Sequence, residues 1–299
     1  MSGDRKASAP ILVTGATGNT GSVVLARLVE RGANVRAMVH GSADSANLPA
    51  GVTPVVADFD DADSISAALR GIGRAYLVTP SSERAEQQQL RFVDFAAKSG
   101  VRQLVVLSQL AADEHSPVRF LRYHGAVERH VTDIGIDYTF LRPNLFFQGL
   151  LAFAGSIASQ SRFVAPIGDA AVSAVDVRDI AAVAVAALTE PGHERRTYTL
   201  TGPRAVTHGE IAAALSGALG RPIAFVDVAP EDFARSLRGV LPPWQIDGLL
   251  EDYAHYRRGE ASATSDAVQR ITGVPPIAVE KFASDYAPHF TRAGQPPAR

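Results

Sequence analysis

The chain has 299 residues, 46% of them hydrophobic, which is enough for one large domain or for a domain with an appended lobe. Its 29 Lys and Arg against 31 Asp and Glu leave a net charge of -2, so no basic field exists to hold nucleic acid or an anionic lipid surface. With no cysteine, disulfides, thiolate catalysis and thiolate metal sites are excluded, which fits a reducing cytoplasm, the compartment expected here.

The opening "MSGDRKASAP" is polar and lacks the apolar core of a secretory signal. The longest apolar run, "IAAVAVAAL" at 180–188, is too short to span a bilayer, so no membrane association is expected. Frayed ends are expected at 1–8 and 292–299.

In chain order, β-branched runs at 11–15, 34–40, 52–59, 74–80, 103–109 and 137–143 alternate with helical spacing, such as Gly21, Val24, Leu25, Leu28 and Val29, or Leu90, Val93 and Ala97. The alternation predicts an α/β fold, a Rossmann doubly wound parallel sheet with helices on both faces. Beyond about residue 150 the regularity loosens. Strands are expected at 197–202 and 223–228 and helices at 177–189 and 207–219; the stretch 230–290 reads as mostly helical, broken at Pro242-Pro243 and Pro275-Pro276. A smaller, mostly helical C-terminal lobe against the carboxyl edge of the sheet is the expectation.

The first run ends in "TGATGNTG", where Gly15, Gly18 and Gly21 join a strand to a helix. Glycine at 15 permits a tight turn, at 18 a close approach of backbone to a pyrophosphate, and at 21 contact of helix with strand, while free N–H groups at the helix start face the anion. Thr17, Asn19 and Thr20 add short polar side chains at the rim. The alternative is a tight turn with no ligand.

The spacing GxxGxxG resembles the extended and atypical branches of the short-chain dehydrogenase/reductase superfamily. Together with "HGAVERHVTDIGIDYTFLRPNLFFQ" and "DVRDIAAVAVAALTEPGHERRTYTLTGPRAVTHGEIAAAL", it is similar to the NmrA-like branch over approximately 10–290. That branch holds NAD(P)H-dependent quinone and dye reductases, relatives acting on natural-product intermediates, and catalytically silent redox-sensing regulators. The resemblance implies an NAD(P)-binding domain at 1–150 and, at 151–299, a mixed segment completing the sheet and forming the substrate lobe. It implies that Asp58 and Phe59 bracket adenine, that Thr79 and Pro80 pass the nicotinamide ribose, and that Pro143, Asn144 and Leu145 lie against the nicotinamide.

An acidic residue at the end of the second strand marks a cofactor with a free ribose. Here "VRAMVHGSADS" has no carboxylate before Asp44, and His40 stands where NADP-preferring relatives place arginine. Ser42 and Ser45 are able to donate to a 2′-phosphate beside it, whereas Arg36, on the same strand face, is about 13 Å away. NADP is favoured over NAD; the plainer reading of His40 is a loop residue. Asp58 has an alternative role as a helix cap, although Asp60, Asp61 and Asp63 are better placed for that.

Ketone reduction in the superfamily uses a tyrosine with a lysine four residues later. The helix expected from Ser116-Pro117 carries Tyr123, but position 127 is Val, so that route is disfavoured. In "YHGAVE", His124 shares an apolar face with Phe120, Val127, Val131 and Ile134, with Glu128 at its flank. Two readings stay open: a core histidine satisfied by Glu128, or, by resemblance, a cofactor contact or proton donor at the nicotinamide. Gly125 costs up to about 1 kcal/mol relative to Ala in mid-helix, which hints at close approach by backbone or ligand. Ser108 ends the fifth strand where the superfamily's serine belongs, or is a plain strand-end hydroxyl. Ser108, Tyr123 and His124 are therefore the candidate catalytic residues.

Asn144, Phe146, Phe147 and Gln148, with Phe233, Trp244, Tyr253 and Tyr256 from the lobe, are the candidate substrate contacts. An aromatic-lined cleft suits a flat acceptor, although each aromatic alone reads equally as core. Asp176 and Asp179 read as structural at a helix start, and the eight histidines show no HxxxH or HExxH pattern, so no metal site is expected. The favoured function is hydride delivery from NAD(P)H to a quinone or similar conjugated small molecule, which needs no strong proton donor, by a monomer or homodimer. The alternatives are a non-catalytic NADP(H) sensor and a redox-neutral isomerase or cyclase.

Overall fold

All six of the expected N-terminal strands form, each within its expected run. The structure, a computed structural model, describes residues 9–291; the expected frayed ends at 1–8 and 292–299 lie outside the described residues. The elements are β1 (Ile11–Val13), α1 (Gly21–Glu30), β2 (Val35–Val39), β3 (Thr53–Val56), α2 (Ala62–Leu69), β4 (Arg74–Leu77), α3 (Ala85–Lys98), β5 (Gln103–Leu107), α4 (Arg119–Ile134) and β6 (Asp137–Pro143). There follow α5 (Ala154–Gln160), β7 (Arg162–Ala165), α6 (Val177–Thr189), β8 (Arg196–Leu200), α7 (His208–Leu219), β9 (Ala224–Asp227), α8 (Pro230–Leu237), α9 (Pro243–Arg257), α10 (Ala267–Thr272) and α11 (Val279–Tyr286).

Seven strands pair in the order β3-β2-β1-β4-β5-β6-β8, all parallel, so the direction of winding switches between β1 and β4. Central strands are covered on both faces, which is why β5 is buried at every position and reads as an apolar run from Leu104 onward. Val13, Tyr76, Val105 and Leu141 pack with α1 and α6 on one side. Leu12, Ala75, Leu104 and Val106 pack with α2, α3 and α4 on the other.

The expected strand ends require correction. Runs read to 15, 59, 80 and 109 leave the ladder at Val13, Val56, Leu77 and Leu107. At the carboxyl edge side chains take over from backbone rungs: the Thr14 hydroxyl donates to the Val78 carbonyl (2.8 Å) and accepts from the Val78 amide (2.8 Å). The residues beyond each strand are thereby freed to form loops at one edge.

Position 150 falls inside a 3-10 helix, Phe147–Phe153, and β8 returns to the main sheet beside β6. The lobe holds, besides its helices, a two-stranded parallel sheet, β7-β9, whose β7 was not expected. Helix α4 begins at Arg119, three residues after the expected Ser116. The Ser116 hydroxyl accepts instead from the Val118 amide (3.2 Å), and the first helical amide, that of Arg119, is capped from the lobe by Glu251 (2.7 Å). No helix among the described residues is long and apolar enough to cross a membrane.

Candidate functional site

The three glycines of the first turn have different causes. Gly15 adopts φ +55, and a Cβ there would lie 2.6 Å from the Val78 Cγ1. A Cβ on Gly21 would lie 2.1 Å from the Gly15 carbonyl oxygen, so α1 can sit this close to the turn only without one. Gly18 is exposed and would meet only the Gly15 oxygen, at 3.3 Å. The fold therefore requires glycine at 15 and 21 but not at 18. Among the described residues the amides of Thr17, Asn19 and Thr20 donate to no protein acceptor, and the first turn of α1 carries no acidic side chain. Such a turn offers unpaired N–H groups and a positive helix end to an anion. Thr17 and Asn19 stand exposed at its rim, but Thr20 does not: its side chain is buried, because it packs inward beneath the turn.

His40 follows β2 and is exposed, its Nδ1 3.9 Å from the Asp58 carboxylate. Asp44, the first carboxylate after His40 in the sequence, is turned back onto the Gly41 amide (3.2 Å). Arg36 donates to the Arg70 carbonyl (2.8 Å) at the far end of the strand, and Ser45 is half-buried; the Ser42 side chain lies outside the described residues. Asp58 accepts from the Asp60 amide (2.9 Å), and Asp61 caps α2 by accepting from the Asp63 amide (3.1 Å). Phe59, half-buried, tilts against Phe92 with centroids 5.8 Å apart. Thr79, two residues past β4, accepts from the Gln89 amide (2.9 Å), and Pro80 is exposed beside it.

At the end of β5 the pairing differs from expectation. The buried Ser108 hydroxyl donates to Glu128 (2.5 Å), and Arg142 from β6 grips the same carboxylate through Nε (2.9 Å) and Nη2 (2.5 Å). His124 is therefore not satisfied by Glu128; charge-assisted bonds to a guanidinium outcompete a neutral imidazole. The His124 Nδ1 is buried and has no partner among the described residues, and burial lowers its pKa to about 3, so the ring is neutral. Tyr123 lies against that ring with centroids 4.0 Å apart; its phenol is pushed well above the usual range by burial and then by the charge of Asp252. The close approach at Gly125 is by backbone, since a Cβ would lie 2.2 Å from the Glu114 amide nitrogen.

Asp252, on α9, was not found from sequence. It is 4% exposed, and burial raises its pKa to about 7; the Gln109 amide nitrogen is 3.1 Å from each carboxyl oxygen. Its one sequence signal is position, four residues after Gly248 and four before Tyr256, both buried on the same face of α9.

Several candidate substrate contacts are engaged within the protein itself. Asn144 donates to Ser173 (2.8 Å) and the Ala261 carbonyl (2.8 Å) and accepts from the Leu145 amide (2.8 Å). Gln148 accepts from the Val177 amide at the start of α6 (3.1 Å) and donates to the Tyr286 hydroxyl (3.2 Å). A buried loop has backbone groups to satisfy, and these amides do it. Phe147 stacks on Phe282 at 5.2 Å, and Tyr253 packs on Phe233 at 5.0 Å with its hydroxyl 3.5 Å from the His208 Nε2. Phe233 and Tyr256 are likewise core. Asp176 caps α6 through the Arg178 amide (2.9 Å) and Asp179 accepts from the Ile277 amide (2.8 Å), both structural as read. Pro143 is buried at the end of β6, whereas Leu145 and Phe146 beyond it are half-buried. Trp244, also half-buried, faces Phe120 (5.3 Å) and Tyr123 (6.5 Å).

The loops after β1, β2, β3, β4, β5 and β6 thus line one sheet edge, where an open α/β sheet takes a ligand. A dinucleotide fits what is present there: unpaired amides beside a glycine the fold does not need, and a buried imidazole nitrogen with no protein partner. The model of the NmrA-like family matches residues 7–266. The NAD(P)H azoreductase of Xenophilus azovorans is 36% identical over 285 residues, 95% of this chain and 100% of that enzyme. The NADPH-dependent quinone oxidoreductase of Escherichia coli, solved with NADPH, shares 28% identity and a TM-score of 0.83 over 92% of this chain and 99% of that one. Triphenylmethane reductase of Citrobacter sp., solved with NADP(H), shares 26% identity and a TM-score of 0.82 over 93% of this chain and 99% of that one.

Proposed function

Because this chain belongs to the NmrA-like family, we propose that it is an NAD(P)H-dependent reductase of conjugated small molecules, azo compounds and quinones foremost, working with NADP(H) in preference to NAD(H). The observation that carries this is Gly18: a glycine without a folding reason, flanked by amides without acceptors, at the start of α1. The cysteine-free composition supports a cytoplasmic setting.

In this reading the amides of Thr17, Asn19 and Thr20 hold the diphosphate, the Gly18 amide being bonded to the Gly15 carbonyl. Asp58 and Phe59 flank adenine, with His40 and Ser45 beside the adenosine ribose. Thr79 and Pro80 border the nicotinamide ribose, while His124, Pro143 and Leu145 bound the nicotinamide itself. The reduced nicotinamide, when bound, supplies hydride. Phe146 and Trp244 are left as the acceptor-side surfaces, and we assign the acceptor to the junction between the 1–150 domain and the 151–299 lobe. Ser108 orients rather than donates, since its proton lies on the bond to Glu128. An already electrophilic acceptor needs chiefly orientation and exclusion of water, which α4 and α9 together provide.

The test is to mix purified protein with NADPH and a panel of azo dyes and quinones and to follow the absorbance of the reduced nicotinamide. Acceptor and NADPH are expected to disappear in step. Tight binding of NADPH with no acceptor consumed would overturn the assignment in favour of a sensor.

A further inference from the structure

Helix α9 lies across the start of α4. A Cβ on Gly248 would fall 2.2 Å from the Phe120 ring, so the two helices meet at this height only because the residue is glycine. Arg119 clasps Glu251 through Nη2 (2.7 Å) and Nε (3.0 Å), which fixes the rotation of α9. Asp252 is the next residue, one turn beyond Gly248, and is therefore carried into the junction of α9, α4 and the loop after β5. There the Gln109 amide reaches both of its oxygens. No cation among the described residues pairs with it; Arg119 is taken by Glu251 and Asp247.

The groups facing this carboxyl are Gln109 from the β5 loop, Tyr123 from α4, and Glu251, Tyr253 and Tyr256 from α9 itself. The phenols hold their protons too firmly to release them near neutrality, each raised first by burial and further by the charge of Asp252. His124, against Tyr123, is neutral, and the Ser108 proton is committed to Glu128. Burial, opposed by the Gln109 hydrogen bond and reinforced by the charge of Glu251, raises the Asp252 pKa to about 7, the range in which an acid both holds and gives a proton at working pH.

Resting on the reductase reading above, we infer that Asp252 is the proton donor of this cleft, its carboxyl held by Gln109 beside the end of β5 to protonate the anion that hydride transfer leaves on the acceptor. With an azo acceptor, one nitrogen gains a hydrogen and two electrons from the reduced nicotinamide as its C–H bond breaks. The other nitrogen, now anionic, takes the proton as the Asp252 O–H bond breaks, and the carboxylate recovers a proton from water. One NADPH, one proton and one azo group are consumed, and one hydrazine and one NADP+ are formed.

The experiment compares this azo reduction with reduction of a triarylmethyl cation, in which hydride alone gives the neutral product and no proton is needed. Asp252→Asn keeps the shape and the amide contact but cannot titrate. At about pH 6 it is expected to lower turnover of the azo dye roughly 100-fold while slowing the cation by less than about 3-fold. Wild-type azo turnover should fall as pH rises above about 7, and that fall should be absent from the cation reaction. Infrared difference spectra of the cofactor-free protein across the same range should show a carboxylic-acid band that Asp252→Asn lacks. Equal slowing of both acceptors, a fall with pH that persists in the variant, or no such band would overturn the proposal. If the wild-type protein reduces neither acceptor, the reductase reading falls and takes this role with it.

Discussion

Alanine at each of the three turn glycines should give three different results. At Gly21 the new Cβ would sit 2.1 Å from the Gly15 oxygen and 2.7 Å from its carbonyl carbon, neither of which can rotate away. α1 would have to retreat by roughly 1 Å, yet Val24, Leu25 and Leu28 are at most 1% exposed and locked in the core, so the strain is at the upper end of overpacking, about 3 kcal/mol. At Gly15 the left-handed φ of +55 costs roughly 1 kcal/mol for alanine, and the contact at 2.6 Å is with a methyl of the stiff Val78 side chain, adding about 1 kcal/mol. At Gly18 the contact at 3.3 Å asks for a shift of only a few tenths of an ångström, and the lower entropy of the unfolded chain offsets it, so stability should stay within about 0.5 kcal/mol of wild type. Binding should show the reverse pattern for Gly18, because it lies exposed between the unpaired amides of Thr17 and Asn19, where an added methyl crowds a ligand: NADPH affinity should fall at least about 10-fold, or about 1.4 kcal/mol. Urea unfolding without cofactor measures the first quantity and calorimetric titration with NADPH the second. If Gly18→Ala bound NADPH as tightly as wild type, or lost as much stability as Gly21→Ala, the separation of fold glycines from ligand glycine would be wrong.

Ser108→Ala removes a charge-assisted hydrogen bond and should cost about 2 kcal/mol in urea unfolding while lowering turnover less than about 3-fold. A loss beyond about 100-fold at unchanged stability would return the hydroxyl to a catalytic role. His40→Arg places a permanent cation at the exposed end of β2 and should raise the ratio of kcat/KM for NADPH over NADH about 10-fold; an unchanged ratio would remove position 40 from the ribose phosphate. Asp252 holds its proton up to about 7 when folded but releases it near 3.8 when unfolded, so stability present at low pH drains as pH rises through this window. Asp252→Asn abolishes that loss, and its stability relative to wild type should climb between about pH 5 and pH 7 by on the order of 2 kcal/mol; a flat difference would mean the carboxyl ionises normally.

What could be read in advance follows the distance over which each feature is decided. The central strands were legible because burial on both faces demands apolar runs, but their ends were not, since Thr14 stops β1 by bonding to Val78. Strand β7 is four residues that pair only with β9, far along the chain, and nothing local marks it. The glycine turn was legible for the opposite reason: the atoms that forbid a side chain at 21 belong to residues 14 and 15. At the reacting end local reading left two roles open for His124, and the structure removes one of them. His124 and Glu128 stand one helical turn apart, which offers a pairing, but Ser108 and Arg142 arrive from neighbouring strands with stronger bonds and leave the imidazole alone. Asp252 finds Gln109 across 143 positions. Its burial makes sense only once α9 is seen seated on α4, because a carboxyl there without a cation is costly unless it keeps its proton. The features specifying a dinucleotide are thus local and readable, whereas those governing the proton come from the docking of the lobe, and only the folded chain reveals them.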